Sequence, residues 1–342
     1  MNLLFATMSE MLGGAELHAL QLASRLQARG HRCNIFSSSK LYSDLVESGW
    51  LKILNLNVKV VNGYEEFAQK LDVLRPDLIQ HFNSLTAVAA LELAVHRPVS
   101  VQVLHANHSL EEDYRHIYTD YTDHLIAVSD SVRRFYPQRQ NCPPISIIMN
   151  GVDVEQFQPS VQTNQSDESV RFLTIGRQND PNKRLRNINS SFSTLGQKNW
   201  HLDIVGPGYD SGLEVCSSNV SSNVEVHGLS SDMYSFFKKA EVYICGSITE
   251  GFGLAIAEAA SSGLAIVTMA CHGITEVLTH RSNAIICQSW KDFESAIKEV
   301  GNSRELRAEL GRNARAFCLE KLSLERMVNE YELLYARVLE IE

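Results

Sequence analysis

Nowhere in its 342 residues does this chain approach the roughly 20 consecutive apolar residues of a membrane-spanning helix, which argues against an integral membrane segment. It also lacks paired cysteines. The seven present (Cys33, Cys142, Cys216, Cys245, Cys271, Cys287 and Cys318) are odd in number and form no Cys-x-x-Cys pair. They speak against a disulfide framework and a thiolate zinc site, and read as buried thiols of a reducing cytosol. Charge of one sign is nowhere concentrated. The formal net charge is −9, with 13 Lys+Arg against 17 Asp+Glu in residues 1–160 and 18 against 23 in the remainder, so neither half offers a nucleic-acid-binding face. A complete Gly-x-Gly-x-x-Gly fingerprint is missing both at Gly13-Gly14 and at Gly206-Pro207-Gly208, which leaves a nicotinamide enzyme without support. The start, Met1 to Ala6, has no charged n-region and runs into a glycine turn, so a first strand is expected there and not a signal peptide.

What the chain does have is a regular alternation of short apolar runs with helical patterns, the signature of parallel sheets covered by helices on both faces. The class is α/β. Strands are expected in the first half at Leu3–Thr7, Cys33–Ser38, Ile53–Val58, Leu78–Phe82, Val99–Leu104, Leu125–Val128 and Ile145–Met149, with helices such as Ala15–Arg29 and Thr86–His96 between them. The polar stretch from Gln158 to Ser169 reads as a linker. A second series follows at Arg171–Ile175, Leu202–Val205, Val224–Val226, Val242–Cys245, Ala265–Thr268 and Ala284–Cys287, and the tail from Ser303 is helical. The expectation is two doubly wound domains, 1–159 and 160–325, with a last helix over 326–342 packing back on the first. Ligands are expected at the carboxyl ends of the strands, in the cleft between the domains.

The densest chemistry lies in Thr249–Ala259, where Glu250 and Glu258 stand seven intervening residues apart across Gly251, Phe252, Gly253 and Leu254. A strand-to-helix turn here aims free backbone N–H groups and the positive helix end at an anion. The two carboxylates, about two turns apart, would meet different parts of one extended ligand. Arg177 closes the strand that ends in Gly176, and Lys183 sits near the next helix start. Alone, such cations read as a solvated face. At strand ends beside a diphosphate, each could contribute on the order of 4 kcal/mol at ~4 Å and an effective dielectric of about 20. That would stabilise a departing diphosphate without a metal, and the absence of any Asp-x-Asp triplet agrees. His105 ends the strand from Val99; it and His108 have no Cys or Asp at tetrahedral zinc spacing. Gly13 and Gly14 would let the backbone approach a ligand, or simply make a tight strand–helix connection.

In this order, Gly13-Gly14-Ala15-Glu16, His105, Ser129, Asn150-Gly151-Val152-Asp153, Gly176-Arg177, Lys183, Val205-Gly206-Pro207-Gly208 and the E-x7-E motif resemble the family-four retaining glycosyltransferases of GT-B fold. The resemblance implies that Arg177 and Lys183 hold the diphosphate of a nucleotide-sugar donor close to the Gly14 backbone. It implies further that Glu250 contacts the sugar hydroxyls, that the backbone of Phe252, Gly253 and Leu254 binds sugar and phosphate, that Glu258 holds the ribose, and that His105 sits beside the transferred sugar. It implies a UDP- or GDP-linked donor used as substrate, no metal cofactor, and a glycan or lipid-linked acceptor in cell-surface polysaccharide, lipopolysaccharide or glycolipid synthesis. The location implied is cytoplasmic, with peripheral membrane contact where the acceptor is a lipid. Competing readings are a nucleotide-sugar epimerase of the same fold and a non-catalytic binding protein. Arg184 after Lys183, Met149 before Asn150, and Cys271-His272-Gly273 depart from the family pattern.

Overall fold

The computed structural model describes residues 1–10, 12–82, 84–105, 120–136, 142–160, 169–178, 180–207, 223–228, 230 and 232–340. Of the sequence expectations, His108, Gly208, Cys216, residues 161–168 of the linker and residues 341–342 of the last helix lie outside them. The chain divides into two compact units, Met1–Gly151 with Glu325–Glu342, and Val152–Leu324.

In the first unit, β1 (Asn2–Thr7), β2 (Arg32–Ser37), β3 (Val58–Val60), β4 (Leu78–His81), β5 (Val99–Leu104), β6 (His124–Ala127) and β7 (Ile145–Ile147) form one sheet in the order β3-β2-β1-β4-β5-β6-β7. Every pairing is parallel. The central strands β1 and β4 are buried on both faces: β1 is apolar from Leu3 to Ala6 with no alternation, and in β4 even the polar Gln80 and His81 are buried. One core collects Leu4, Phe36, Phe67, Ile79 and Leu91, with the Phe36 and Phe67 rings edge to face at 5.0 Å.

Two expectations need correction. The segment Ile53–Val58 is not one strand: a short helix, Trp50–Leu54, ends at Asn55 in the left-handed region (φ 52°), and β3 begins only at Val58. The alternation Leu54-Asn55-Leu56-Asn57-Val58 imitates a strand, but asparagine tolerates the left-handed conformation that stops a helix. The first unit also ends at Gly151 and not at residue 159. Residues beyond Gly151 are tied to the second unit by Val152, whose N–H donates to Leu322 O (2.8 Å) and whose carbonyl accepts from Leu324 N–H (2.8 Å). The Arg315 guanidinium then donates to the carbonyls of Val154 (3.0 Å), Phe157 (2.8 Å) and Ser261 (2.7 Å).

The second unit contains β8 (Val170–Ile175), β9 (Trp200–Val205), β10 (Val224–His227), β11 (Val242–Cys245), β12 (Ala265–Met269) and β13 (Ile285–Cys287), in the order β10-β9-β8-β11-β12-β13. All are parallel. Its core centres on Phe172, Phe192, Trp200, Ile244, Val267 and Phe293. In both units the order reverses between two adjacent strands, β1 and β4 in the first, β8 and β11 in the second. A crevice opens at the carboxyl ends of such a pair, because the loops leaving them run to opposite faces of the sheet.

The helix Leu324–Val338 carries the chain back to the first unit. Tyr331 Oη lies 3.1 Å from His18 Nε2, the Tyr335 hydroxyl donates to Gln80, and Arg29 reaches Glu325 (2.7 Å) and Glu332 (2.6 Å). Among the described residues no helix is long and apolar enough to cross a membrane. Arg315→Ala should leave three carbonyls short of a charged donor and cost roughly 2–4 kcal/mol. Urea unfolding of the full chain checks this, and an unchanged midpoint would show that the guanidinium does not pin residues 152–159.

Candidate active site

In the second unit, the residues anticipated for the donor gather at the carboxyl ends of β8 and β11, the two strands of the order reversal. Gly176 and Arg177 follow β8 directly, and the chain turns through Asp180–Arg184 into the helix Leu185–Leu195. Gly176 has no side chain for a steric reason: a Cβ there would come within 3.0 Å of Lys183 Cγ, so glycine lets the lysine stem cross the strand end.

Lys183 Nζ donates to Glu250 Oε1 at 2.6 Å, and the Ser247 hydroxyl donates to the same oxygen at 2.6 Å. The pair is largely sheltered, with side-chain exposures of 27% and 13%. Burial by itself lowers the pKa of Lys183, but the Glu250 charge and its hydrogen bond outweigh that and raise it above the ordinary amine value. The Arg177 guanidinium has no ion pair or hydrogen bond among the described residues.

Sequence reasoning missed the residues that position this pair. Asn182 makes a two-way clamp on the loop after β11: its Nδ2 donates to Thr249 O (3.0 Å), its Oδ1 accepts from Thr249 N–H (2.9 Å), and its own carbonyl accepts from Ile248 N–H (2.9 Å). Arg184 donates to Gly246 O (2.5 Å) and Ser247 O (3.1 Å). The only signal for Asn182 is an asparagine in the turn Asp180-Pro181-Asn182, which fits any polar loop. Arg184 stands out in the sequence only as a departure from the family pattern.

The helix Leu254–Ser261 starts from Gly253 at φ 82°, and no side chain caps it, so its first N–H groups face outward with the positive end of the helix. Phe252 is buried beneath the turn, and Leu254 opens the first turn. Glu258, about one turn on, is half-buried as a residue, with no hydrogen-bond or ion-pair partner for its carboxyl among the described residues. Desolvation alone pushes its pKa up to about 8.

The first unit holds the remaining expected residues. Gly13 precedes the helix Gly14–Ala28, whose His18 ring meets His105 edge to face at 5.0 Å. Phe82 packs on the other side of His105 at 4.9 Å. Burial, and next the unfavourable coupling to a second protonated ring at His18, hold the His105 pKa well below its ordinary value, so the ring is neutral, and its buried Nε2 has no partner among the described residues. The glycine turn and the strand-end histidine are thus linked through His18, which sequence reasoning does not single out.

Among the described residues, one other group has metal-ligand chemistry: Asp203, Glu225 and His227 on β9 and β10. His227 Nε2 lies 2.8 Å from Asp203 Oδ1, and Arg171 is 3.6 Å from the same carboxylate. The cluster lies on the β8 side of the reversal, on the two strands beyond β8.

Two family models match. "Glycosyltransferase Family 4" covers residues 12–156 and "Glycosyl transferases group 1" covers residues 169–302. The chain belongs to the group 1, family-four glycosyltransferases. Curated relatives include a human phosphatidylinositol N-acetylglucosaminyltransferase component, 24% identical over 310 residues, covering 81% of this chain and 63% of that protein. The GPI3 component of the same transferase from Saccharomyces cerevisiae strain YJM789 is 25% identical over 305 residues, 78% of this chain and 67% of that protein. The chain therefore spans just under two thirds of the human relative's length.

Among solved structures, Anabaena Alr3699/HepE in complex with UDP and glucose superposes with a TM-score of 0.82 at 17% identity, over 98% of this chain and 99% of that one. A glycosyltransferase from Rickettsia africae gives 0.81 at 16% identity, over 100% and 99%. These likenesses establish the GT-B fold, two parallel α/β units of the family kind.

The raised pKa of Glu258 yields a stability prediction with a definite sign. A carboxyl whose folded pKa lies above its unfolded value stabilises fully below the unfolded value, and that stability is lost as pH rises toward the folded one. Glu258→Gln should therefore match the wild type near pH 4 and melt higher than it near pH 9 without ligand. Melting temperatures that run parallel across that range would show that the carboxyl is not desolvated.

Proposed function

We propose that the protein is a retaining, metal-independent glycosyltransferase that moves a hexose-type sugar from a UDP- or GDP-linked donor to an acceptor hydroxyl. The observation that carries this reading is the Lys183–Glu250 pair at the strand-order reversal, with Arg177 unpaired among the described residues and an uncapped helix start following Glu250. Arg177, Lys183 and the N–H groups opening the helix Leu254–Ser261 suit a diphosphate. A lysine ammonium has three protons, so Lys183 can keep Glu250 on one and offer the others to phosphate oxygens.

Glu258 suits the ribose hydroxyls: a carboxyl protonated at neutral pH both donates and accepts. Glu250 suits the sugar hydroxyls, since Lys183 and Ser247 engage only its Oε1 and leave the second oxygen as acceptor. In the first unit, His105 is neutral and its Nε2 has no partner among the described residues, which suits it to a hydroxyl of a ligand held by that unit.

The reaction that fits is attack of the acceptor hydroxyl on the anomeric carbon from the face the diphosphate leaves. The bond from carbon to phosphate oxygen breaks, the bond to the acceptor oxygen forms, and the acceptor's proton passes to the departing phosphate oxygen. No protein base is needed, and no metal if two cations and a helix start carry the leaving charge. The HepE complex with UDP and glucose supports a UDP-linked donor as the first to test. The name of the human relative supports an acceptor carried on a lipid, which would place the protein at the cytoplasmic membrane face in cell-surface glycan or glycolipid assembly.

A thermal-shift screen with UDP-, GDP-, ADP- and dTDP-sugars tests the reading, since a ligand at ~100 times its dissociation constant stabilises by about 2.7 kcal/mol. No shift with any of the four would overturn it. Glu250→Gln keeps an acceptor for Lys183 and Ser247 yet should lower transfer about 100-fold or more, and Lys183→Ala should remove measurable transfer. Wild-type turnover in either variant, with a donor and acceptor the wild type uses, would sink the assignment.

A further inference from the structure

We infer that Arg184 is a positioning residue for Glu250, a clamp on the loop leaving β11 that sets where the carboxylate sits without touching a ligand. This rests on the reading of the Lys183–Glu250 pair as the donor-sugar site.

The first observation is backbone strain. Arg184 stands at φ 49° and ψ 38°, in the left-handed region, immediately before the helix Leu185–Leu195. A side chain in that region costs on the order of 1–2 kcal/mol, a cost glycine does not bear. A long, branched cation is therefore an expensive choice at a position glycine would fill without strain.

The second observation is what the side chain does. Arg184 Nε donates to Gly246 O at 2.5 Å and Nη2 donates to Ser247 O at 3.1 Å. The guanidinium carbon lies over the Trp290 ring, 5.1 Å from its centroid, which helps to hold the fork in place. Gly246 is confined in turn, because a Cβ there would come within 3.1 Å of both Ile188 and Trp290. The held residue, Ser247, donates its hydroxyl to Glu250 Oε1 at 2.6 Å. A continuous line of contacts thus runs from Trp290 through Arg184 and Ser247 to the carboxylate.

The third observation is the division of labour within one turn. Asn182 grips Thr249, Lys183 grips Glu250, and Arg184 grips Gly246 and Ser247. Lys183 is the member placed to neutralise phosphate, whereas Arg184 spends its donors on carbonyls that face it. Loosening Arg184 should therefore displace the sugar-facing carboxylate and leave the diphosphate cations in place. The consequence is a fall in turnover at unchanged nucleotide affinity, a split that general destabilisation would not produce.

The test uses the full chain with Arg184→Gly, which removes the clamp and the strain together. Melting temperature should hold or rise. Amide exchange in the Gly246–Gly251 peptide, without ligand, should accelerate at least about fivefold. The dissociation constant for UDP should stay within about twofold, while kcat with UDP-glucose, or with whichever nucleotide sugar the wild type turns over, should fall about tenfold. Arg184→Lys, which keeps the charge and one donor, should recover part of the lost kcat. Unchanged amide exchange in Arg184→Gly overturns the clamp whatever the site binds. Faster exchange with kcat within twofold of wild type overturns its role in turnover. If the wild type turns over no nucleotide sugar, the donor-site reading fails, and the exchange result alone then decides the clamp.

Discussion

The ion pair between Lys183 and Glu250 is the constraint around which the second unit arranges its strand ends. A sheltered pair of opposite charges is tolerable only while both partners stay in register, because removing one leaves the other in a poor solvent. Here the partners come from loops after β8 and β11, 67 residues apart in sequence at this pair. The pair holds only if the strand order brings those ends together. Gly176 makes room for the lysine stem, Asn182 fixes the facing backbone, and Ser247 supplies a second proton to the carboxylate.

The first unit shows a parallel economy with different chemistry. Its strand-end histidine is kept neutral by burial and held between Phe82 and His18, and His18 is in turn within hydrogen-bond distance of Tyr331 on the last helix. The return of the chain to this unit therefore reaches beyond surface ion pairs such as Arg29 with Glu332. It supports the ring against which His105 packs. A neutral imidazole with one free nitrogen makes a directed hydrogen bond without adding charge.

Much of this is legible in the sequence, for identifiable reasons. Apolar runs alternating with helical patterns reveal parallel strands because both sheet faces are covered, and Glu250 and Glu258 stand out because carboxylates flanking a glycine turn have no packing role. Ile53–Val58 misleads because leucine and asparagine alternate there with a period of two, and only the left-handed turn at Asn55 breaks the strand that the pattern suggests. The true limit of the first unit at Gly151 is hidden by composition: residues 152–159 precede a polar stretch, yet they are tied down by Arg315, more than 150 residues away. Asn182, Ser247 and Arg184 escape notice because their partners are mostly backbone atoms, and a backbone carbonyl leaves no mark in the identity of the residue that carries it.

The charge balance of the second-unit site explains how two glutamates are compatible with the anionic donor proposed for it. Lys183 compensates Glu250 at 2.6 Å, and desolvation keeps Glu258 in its protonated form up to a pH of about 8. Among the described residues, the Arg177 guanidinium and the positive end of the uncapped helix at Gly253 have no countercharge paired with them. Neither glutamate therefore opposes the positive charge of Arg177 and the helix start near neutral pH, and no residue has to move for this to hold. On the proposed reading the arrangement also separates tasks: affinity for a phosphate group would rest on Arg177, Lys183 and the helix start, while selectivity among neutral hydroxyls would rest on two carboxyl groups that add almost no repulsion. A solvated Glu258 would ionise and oppose the diphosphate proposed for this site, so on that reading its burial serves the electrostatics as much as the packing.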